Sequence, residues 1–150
     1  MIADAPARTD TATAPLVVTF KVGRQTYALP LDAVLQVVRL PALTVVPDAP
    51  PTLCGLLNLR GTFVPVLNGR VILGEPPAAD LTSQVIVLGV GVPTHSLLVD
   101  EVDAVRRFPS ASFAPFVDGS ALVLGLLRDR DEAVVVLDPE ALAARAVSDR

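Results

Sequence analysis

Gly55-Leu56-Leu57-Asn58-Leu59-Arg60-Gly61-Thr62-Phe63-Val64-Pro65-Val66-Leu67 is the stretch that decides how the rest of this chain is read. Gly55 and Gly61 mark places where a β-carbon is a liability, through turn dihedrals or a close backbone approach. Between them an amide and a guanidinium, Asn58 and Arg60, sit among leucines. Phe63 to Leu67 reads as a buried strand, and Pro65, which cannot donate to a ladder, confines it to a sheet edge or a bulge. A polar pair on a turn feeding a buried strand fixes one charged group on a rigid frame. Two readings of Arg60 stand open. Its guanidinium ties down neighbouring carbonyls or pairs with an acid, or it projects as an interface anchor, a position in which arginine is enriched.

Upstream of this stretch, Leu16–Val22 reads as a strand, Gly23-Arg24-Gln25 as its turn and Thr26–Leu29 as the return. Pro30 stops that strand, and Asp32 is placed to cap a short helical turn over Ala33–Val37. Leu43–Val46 reads as a further strand, closed by the Pro-rich run from Pro47 to Pro51. Downstream, Asn68-Gly69 is the strongest hairpin signal in the chain, with Arg70–Leu73 as the returning strand. Residues 74–80 have the composition of a linker. Pro139-Glu140-Ala141-Leu142 puts proline at a helix start with strong helix formers behind it, which predicts a short helix over about 139–147. Residues 1–15 hold too few bulky apolar side chains to offset their ordering entropy, so they read as a mobile tail whose deletion leaves folding unchanged.

The chain also repeats itself. A shift that places Gly23 on Gly91 places Val22 on Val90, Leu29 on Leu97, Asp32 on Asp100 and Val37 on Val105. A shift two residues longer places Gly55-Leu56-Leu57 on Gly125-Leu126-Leu127, Arg60 on Arg130 and Val66 on Val136. Two halves, roughly 16–74 and 83–138, therefore share one strand plan. Each half carries enough short strands for a small closed barrel, and closure removes exposed edges. Barrels this small have thin cores, which predicts an all-β fold of two small barrels of about five strands each that share one core. The halves differ at the turn. Arg128-Asp129-Arg130-Asp131-Glu132 is an ordinary charged tip, whereas Asn58-Leu59-Arg60-Gly61 carries an apolar residue that is either buried or waiting for a partner.

Composition narrows the function. The chain of 150 residues is 51% hydrophobic and 19% charged, with 14 Pro and 9 Gly breaking the apolar runs, a pattern of many short strands. Mean hydropathy is +0.55, yet no uninterrupted apolar run approaches the ~20 residues of a spanning helix. Net charge of −4 and only six aromatics, five Phe and Tyr27, leave no electrostatic footprint or stacking platform for nucleic acid. Cys54 is the only cysteine, and the start of the chain has neither the basic end nor the apolar centre of a signal peptide, so a cytoplasmic protein is expected.

Catalytic patterns are missing. The sequence has no phosphate loop, nucleophile elbow or zinc-protease motif. Gly89-Val90-Gly91 is part of a dinucleotide fingerprint at most, since Pro93 falls where the helix should begin. His95 is the only histidine and aligns with Tyr27, an ordinary strand position, so it offers no multi-histidine metal site or serine triad. Cys54 reads as a small apolar residue, and the acidic clusters Asp100-Glu101-Val102-Asp103 and Asp129–Glu132 as solvated turns. No catalytic residue, metal or cofactor is expected.

These residues resemble the CheW-like family, the coupling proteins of bacterial chemotaxis arrays. The match runs from Val46-Pro47 through Gly74, where GLLNLRGTFVPVLNGRVILG stands against a pattern like GvvNLRGxvvPViDLRxxLG. Leu98–Val102 and Val136-Leu137-Asp138 resemble second-half signatures, and the likeness extends over residues 16 to about 145. The resemblance implies a CheW-like domain over 16–147 made of two intertwined five-stranded β-barrels of the Src-homology-3 type with a short C-terminal helix, acting as a non-catalytic adaptor. One barrel would dock on the regulatory domain of a CheA-type histidine kinase, and a groove between barrels would receive the cytoplasmic tip of a chemoreceptor. The implied partner-binding residues are Gly55, Asn58, Arg60 and Gly61, with Arg70 and Gln36. Gln36 replaces the family's acid, so an ion pair to the motif arginine would become a neutral hydrogen bond. Asn68-Gly69 replaces Asp-Leu. A module that binds the kinase without receptors, or a small-ligand-binding barrel, are the competing readings.

Overall fold

Short β-rich runs separated by Gly and Pro do form strands along nearly the whole chain. The computed structural model describes residues 15–76, 83–109, 112–116 and 121–148; the expected tail through residue 14 and most of the linker lie outside them. The strands are β1 Leu16–Val22, β2 Gln25–Pro30, β3 Val34–Arg39, β4 Leu53–Leu59, β5 Thr62–Asn68, β6 Gln84–Val90, β7 Val92–Val99, β8 Glu101–Arg107, β9 Phe113–Pro115, β10 Val123–Asp129 and β11 Glu132–Leu137. Two helices, α1 Gly69–Leu73 and α2 Pro139–Ser148, follow β5 and β11.

The strands form two sheets, a six-stranded one ordered β8-β1-β2-β11-β10-β9 and a five-stranded one ordered β3-β6-β7-β5-β4. Each sheet mixes strands from both halves of the repeat, joined by the parallel pairings β11–β2 and β5–β7. The barrels are therefore intertwined, one with six strands rather than the expected five. Both rings close the same way. Thr44 bridges Leu56 in the five-stranded barrel, and Ala114 pairs with Leu126 in the six-stranded one, at equivalent places in the repeat.

One core spans both barrels: Phe20, Leu29 and Leu137 from one sheet pack with Leu67, Ile86 and Leu97 from the other, under Ile72 of α1 and Leu142 of α2. Two smaller clusters lie inside the individual barrels. Because the central core draws on every sheet and both helices, heating should give a single cooperative transition. Two separated calorimetric peaks would contradict the shared core.

Four local readings are corrected. Asp32 lies in a single 3-10 turn, Leu31–Ala33, and the chain then enters β3 instead of a helical turn over 33–37. Leu43–Val46 is not a strand; only Thr44 makes a bridge. Asn68-Gly69 does not turn a hairpin: the Asn68 side chain caps α1, accepting from the N–H groups of Arg70 and Val71 at 3.1 and 3.4 Å. Gly69 is required there because a β-carbon would lie 2.4 Å from the Leu98 carbonyl oxygen of the adjacent β7. Finally, β5 is an internal strand with β4 and β7 on its two sides, and Pro65 is tolerated because pairing with β7 begins only at Val66. The helix expected at 139–147 is present, with Asp138 as its cap, accepting from the Glu140 N–H at 3.0 Å.

Candidate functional site

Strands β4 and β5 pair from Leu53↔Leu67 to Leu59↔Thr62, leaving Arg60-Gly61 as a two-residue connection. Both residues have positive φ, 51° and 90°, the requirement of a type I′ turn, whose twist suits a β-hairpin. Asn58 holds the turn: its Oδ1 accepts the Gly61 N–H at 2.8 Å. Leu59, the apolar residue on this loop, is half-buried and packs on the cluster of Leu57, Val66, Val85 and Val87. The leucine is inside, so the arginine is out.

Arg60 is exposed and, among the described residues, makes no hydrogen bond or ion pair. Its planar guanidinium therefore stands free on a rigid hairpin, at a φ that costs a non-glycine residue on the order of 1 kcal/mol or more. On the same hairpin, Phe63 lies opposite Asn58 and is 54% exposed. Sequence reasoning missed Phe63, although the repeat carried the signal: Ala133 occupies the equivalent place in the second half, across from Arg128.

Gly55 serves the frame. It has φ 154°, and a β-carbon there would come within 2.7 Å of the Thr44 carbonyl oxygen where the barrel closes. Gly125 meets the Ala114 carbonyl in the same way at 2.5 Å.

Arg70 belongs to a different arrangement. Its Nε and Nη2 donate to the two carboxylate oxygens of Asp100 at 3.0 and 2.5 Å, and Nη1 donates to the Pro76 carbonyl. Asp100 also accepts the Gly23 N–H at 2.8 Å. This bidentate, partly buried pair ties α1 to the β1–β2 turn and to the end of β7. The guanidinium is committed inside the molecule. Gln36 sits exposed on β3 between Leu35 and Val37, and makes no side-chain hydrogen bond among the described residues. The link expected between Gln36 and a motif arginine is not formed, since Arg60 stands clear and Arg70 is bound to Asp100.

Burial pushes the Cys54 thiol up to about 11, which keeps it protonated and unreactive. Burial, then the Glu75 charge and hydrogen bond, push Tyr27 up to about 12. His95 is buried in β7, with Nε2 donating to the Pro139 carbonyl at 2.8 Å and Nδ1 2.7 Å from the Thr94 hydroxyl. Burial holds it below its ordinary 6.5, partly opposed by the bond to Pro139. A base depressed in the folded state stabilises the fold above its unfolded pKa and loses that contribution as pH falls through about 6.5. Melting should therefore drop on acidification below that point, with a His95 share bounded by about 1.4 kcal/mol per pH unit for one proton. A His95→Gln variant melted at a series of pH values should show a shallower slope; an unchanged slope would remove His95 from the effect.

Among the described residues no group of His, Cys, Asp and Glu is arranged to hold a metal ion, and no helix is long and apolar enough to cross a membrane. What the surface offers is a rigid hairpin presenting an uncommitted guanidinium and an aromatic ring. The description "CheW-like domain" matches residues 16–147. The chain belongs to the CheW-like family. It is similar to a chemotaxis protein CheW of Helicobacter pylori, 24% identical over 81% of this chain and 76% of that one. It is also similar to a probable chemotaxis protein CheW of Rhizobium etli, 24% identical over 88% of this chain and 89% of that one. Among solved structures it resembles the scaffolding protein CheW of Thermoanaerobacter tengcongensis, with a TM-score of 0.76 and 25% identity over 84% of this chain and 90% of that one. The CheW-like fold of two small intertwined barrels is the one described above.

Proposed function

We propose that this chain is a chemotaxis scaffold that couples receptors to a histidine kinase. The adaptor role rests on family membership over residues 16–147 and on relatives named as chemotaxis and scaffolding proteins. The finer assignment is that one barrel docks on the regulatory domain of a CheA-type kinase while the chain also engages the cytoplasmic tip of a chemoreceptor, inside the cytoplasm and without catalysis of its own. The observation that carries it is Arg60, held on a type I′ turn by Asn58 and Gly61 with no internal partner. An uncommitted guanidinium on a rigid hairpin that also carries the exposed Phe63 is the kind of anchor at which arginine is enriched in interfaces, and the equivalent tip of the second half has Ala133 where this one has Phe63. Within this proposal Arg60 and Phe63 make the contact, Gln36 adds exposed polar surface on β3, and Gly55 and Arg70 keep the frame in shape.

Mixing the purified chain with a CheA-type kinase and a receptor cytoplasmic fragment tests it. All three are expected to co-sediment, and the kinase's autophosphorylation rate should change when the chain is added. Kinase binding with no effect of the receptor fragment would favour a stand-alone module. Binding to neither, with a small molecule raising Tm, would favour a ligand-binding barrel.

A further inference from the structure

Strand β7 carries one residue more than β6 can pair. Leu88 faces His95 and Gly89 faces Pro93, so Thr94 between them is the extra residue of a β-bulge. Beyond it only the pairs Gly89↔Pro93 and Val90↔Val92 hold the tip, and Pro93 has no N–H to give the ladder. Val90 and Val92 are 89% and 64% exposed, so side-chain packing adds little there. The repeat does not demand this arrangement. Thr26 and Tyr27, which align with Thr94 and His95, pair regularly with Lys21 and Phe20.

The bulge is fastened by its own side chains. The Thr94 hydroxyl has two neighbours, the Leu88 carbonyl oxygen at 3.3 Å and His95 Nδ1 at 2.7 Å. The other ring nitrogen, Nε2, lies 2.8 Å from the Pro139 carbonyl, which can only accept, so Nε2 carries a hydrogen in both charge states. In the neutral ring Nδ1 is then bare, and the Thr94 hydroxyl is the donor that satisfies it. A hydroxyl has a single hydrogen, so the Leu88 contact goes unfilled. When solvent supplies a proton to Nδ1, the ring donates to Thr94 Oγ1 and the hydroxyl hydrogen is released to the Leu88 carbonyl. Two hydrogen bonds become three, with the heavy atoms where they stand.

We infer that Thr94 and His95 form a proton-sensitive clasp on the β6–β7 bulge, released from Leu88 when the ring is neutral and fastened to it when the ring is charged. The inference concerns the chain alone and does not depend on its coupling role. Burial disfavours the charged ring by more than the extra bond favours it, which keeps His95 below its ordinary 6.5. Acid therefore tightens the bulge, and with it the exposed tip, even as it lowers the stability of the whole fold. Other charges are poorly placed to take part. Strands β5, β6 and β7 carry no charged side chain. Helix α2 brings Glu140, which is exposed, and Arg145, which is half-buried, while its cap Asp138 is turned onto the Glu140 N–H.

Nuclear magnetic resonance titration of the isotope-labelled chain tests it. At high pH the ring nitrogens should report hydrogen on Nε2 and none on Nδ1, and below the midpoint hydrogen on both. The Leu88 carbonyl resonance should move with that same midpoint, because its bond forms as the ring charges. Thr94→Val keeps the side chain's shape without the hydroxyl, and so removes two bonds from the charged state and one from the neutral state. The His95 midpoint should then fall by about half a pH unit or more, the worth of one net hydrogen bond, and the Leu88 resonance should stop following it. Thr94→Ser retains a hydroxyl and should behave as the wild type. A neutral ring with its hydrogen on Nδ1 overturns the inference, as does a Leu88 resonance that ignores the titration in the wild type. An unchanged or raised midpoint in Thr94→Val overturns it too; should that variant unfold, the two wild-type measurements decide.

Discussion

Replacing Gly55 by alanine is expected to destabilise the fold by about 3 kcal/mol, the sum of roughly 1–2 for left-handed backbone strain and 1–2 for overpacking. The position has φ 154°, and the new methyl would lie 2.7 Å from the Thr44 carbonyl oxygen and 3.1 Å from the Leu43 β-carbon. Neither neighbour can yield freely. Thr44 and Leu56 exchange two backbone hydrogen bonds at 2.9 Å, and that exchange is what closes the five-stranded barrel. Pushing Thr44 away would open the seam and loosen Leu43 from the cluster around Leu57. For a chain of this size the loss corresponds to a fall in Tm of roughly 10 °C. Thermal melts of the Gly55→Ala protein measure it directly, and a change of a degree or less would show that the seam is not under steric pressure. Gly125→Ala meets the Ala114 carbonyl oxygen and the Phe113 ring at 2.5 Å but has no positive φ, so only the overpacking share of about 1–2 kcal/mol applies and its Tm should fall less.

The repeat is what made the fold legible. Equivalences such as Gly55 with Gly125 and Arg60 with Arg130 turned out to be structural: both glycines sit at barrel closures, and both arginines have positive φ, 51° and 57°. The misreadings share one cause, a local signal overruled by a distant neighbour. Asn68-Gly69 has hairpin chemistry, but β5 runs beside β7, and the glycine answers the close Leu98 carbonyl. Leu43–Val46 has strand composition, yet it lies at a seam where only Thr44 pairs. Pro65 argues for an edge on its own, and the register with β7 begins one residue later.

The candidate site was legible in part for the same reason. Residues close in sequence, Asn58, Arg60 and Gly61, act together on one turn. Arg70 could not be assigned from its motif, because its partner Asp100 lies in the other half of the chain and reaches it only through the intertwined topology. Phe63 escaped notice because its exposure depends on which face of β5 is covered, and that is settled by packing rather than by local pattern.

Charge reversal at Arg60 should separate binding from folding more sharply than any other change. Arg60 is exposed and has no partner among the described residues, so Arg60→Glu removes no internal interaction. Glutamate meets the same φ of 51° with the same unbranched β-carbon, so the strain is unchanged. Exposed substitutions of this kind typically shift stability by no more than about 0.5 kcal/mol. The far side of the ledger is larger. Losing an interface arginine costs roughly 2 kcal/mol or more, and the new negative charge adds repulsion wherever the partner offers acids. That corresponds to at least about thirtyfold in affinity. The expected result is native circular dichroism and melting, with kinase or receptor binding strongly weakened. Arg130→Glu, on the equivalent tip of the second half, is the internal control and should leave binding near wild type. Phe63→Ala should weaken binding in the same assay, since it removes the exposed ring of the same hairpin. If Arg60→Glu binds both partners as the parent does, the hairpin is not the contact surface; if it unfolds, Arg60 has an internal role that its exposed position does not reveal.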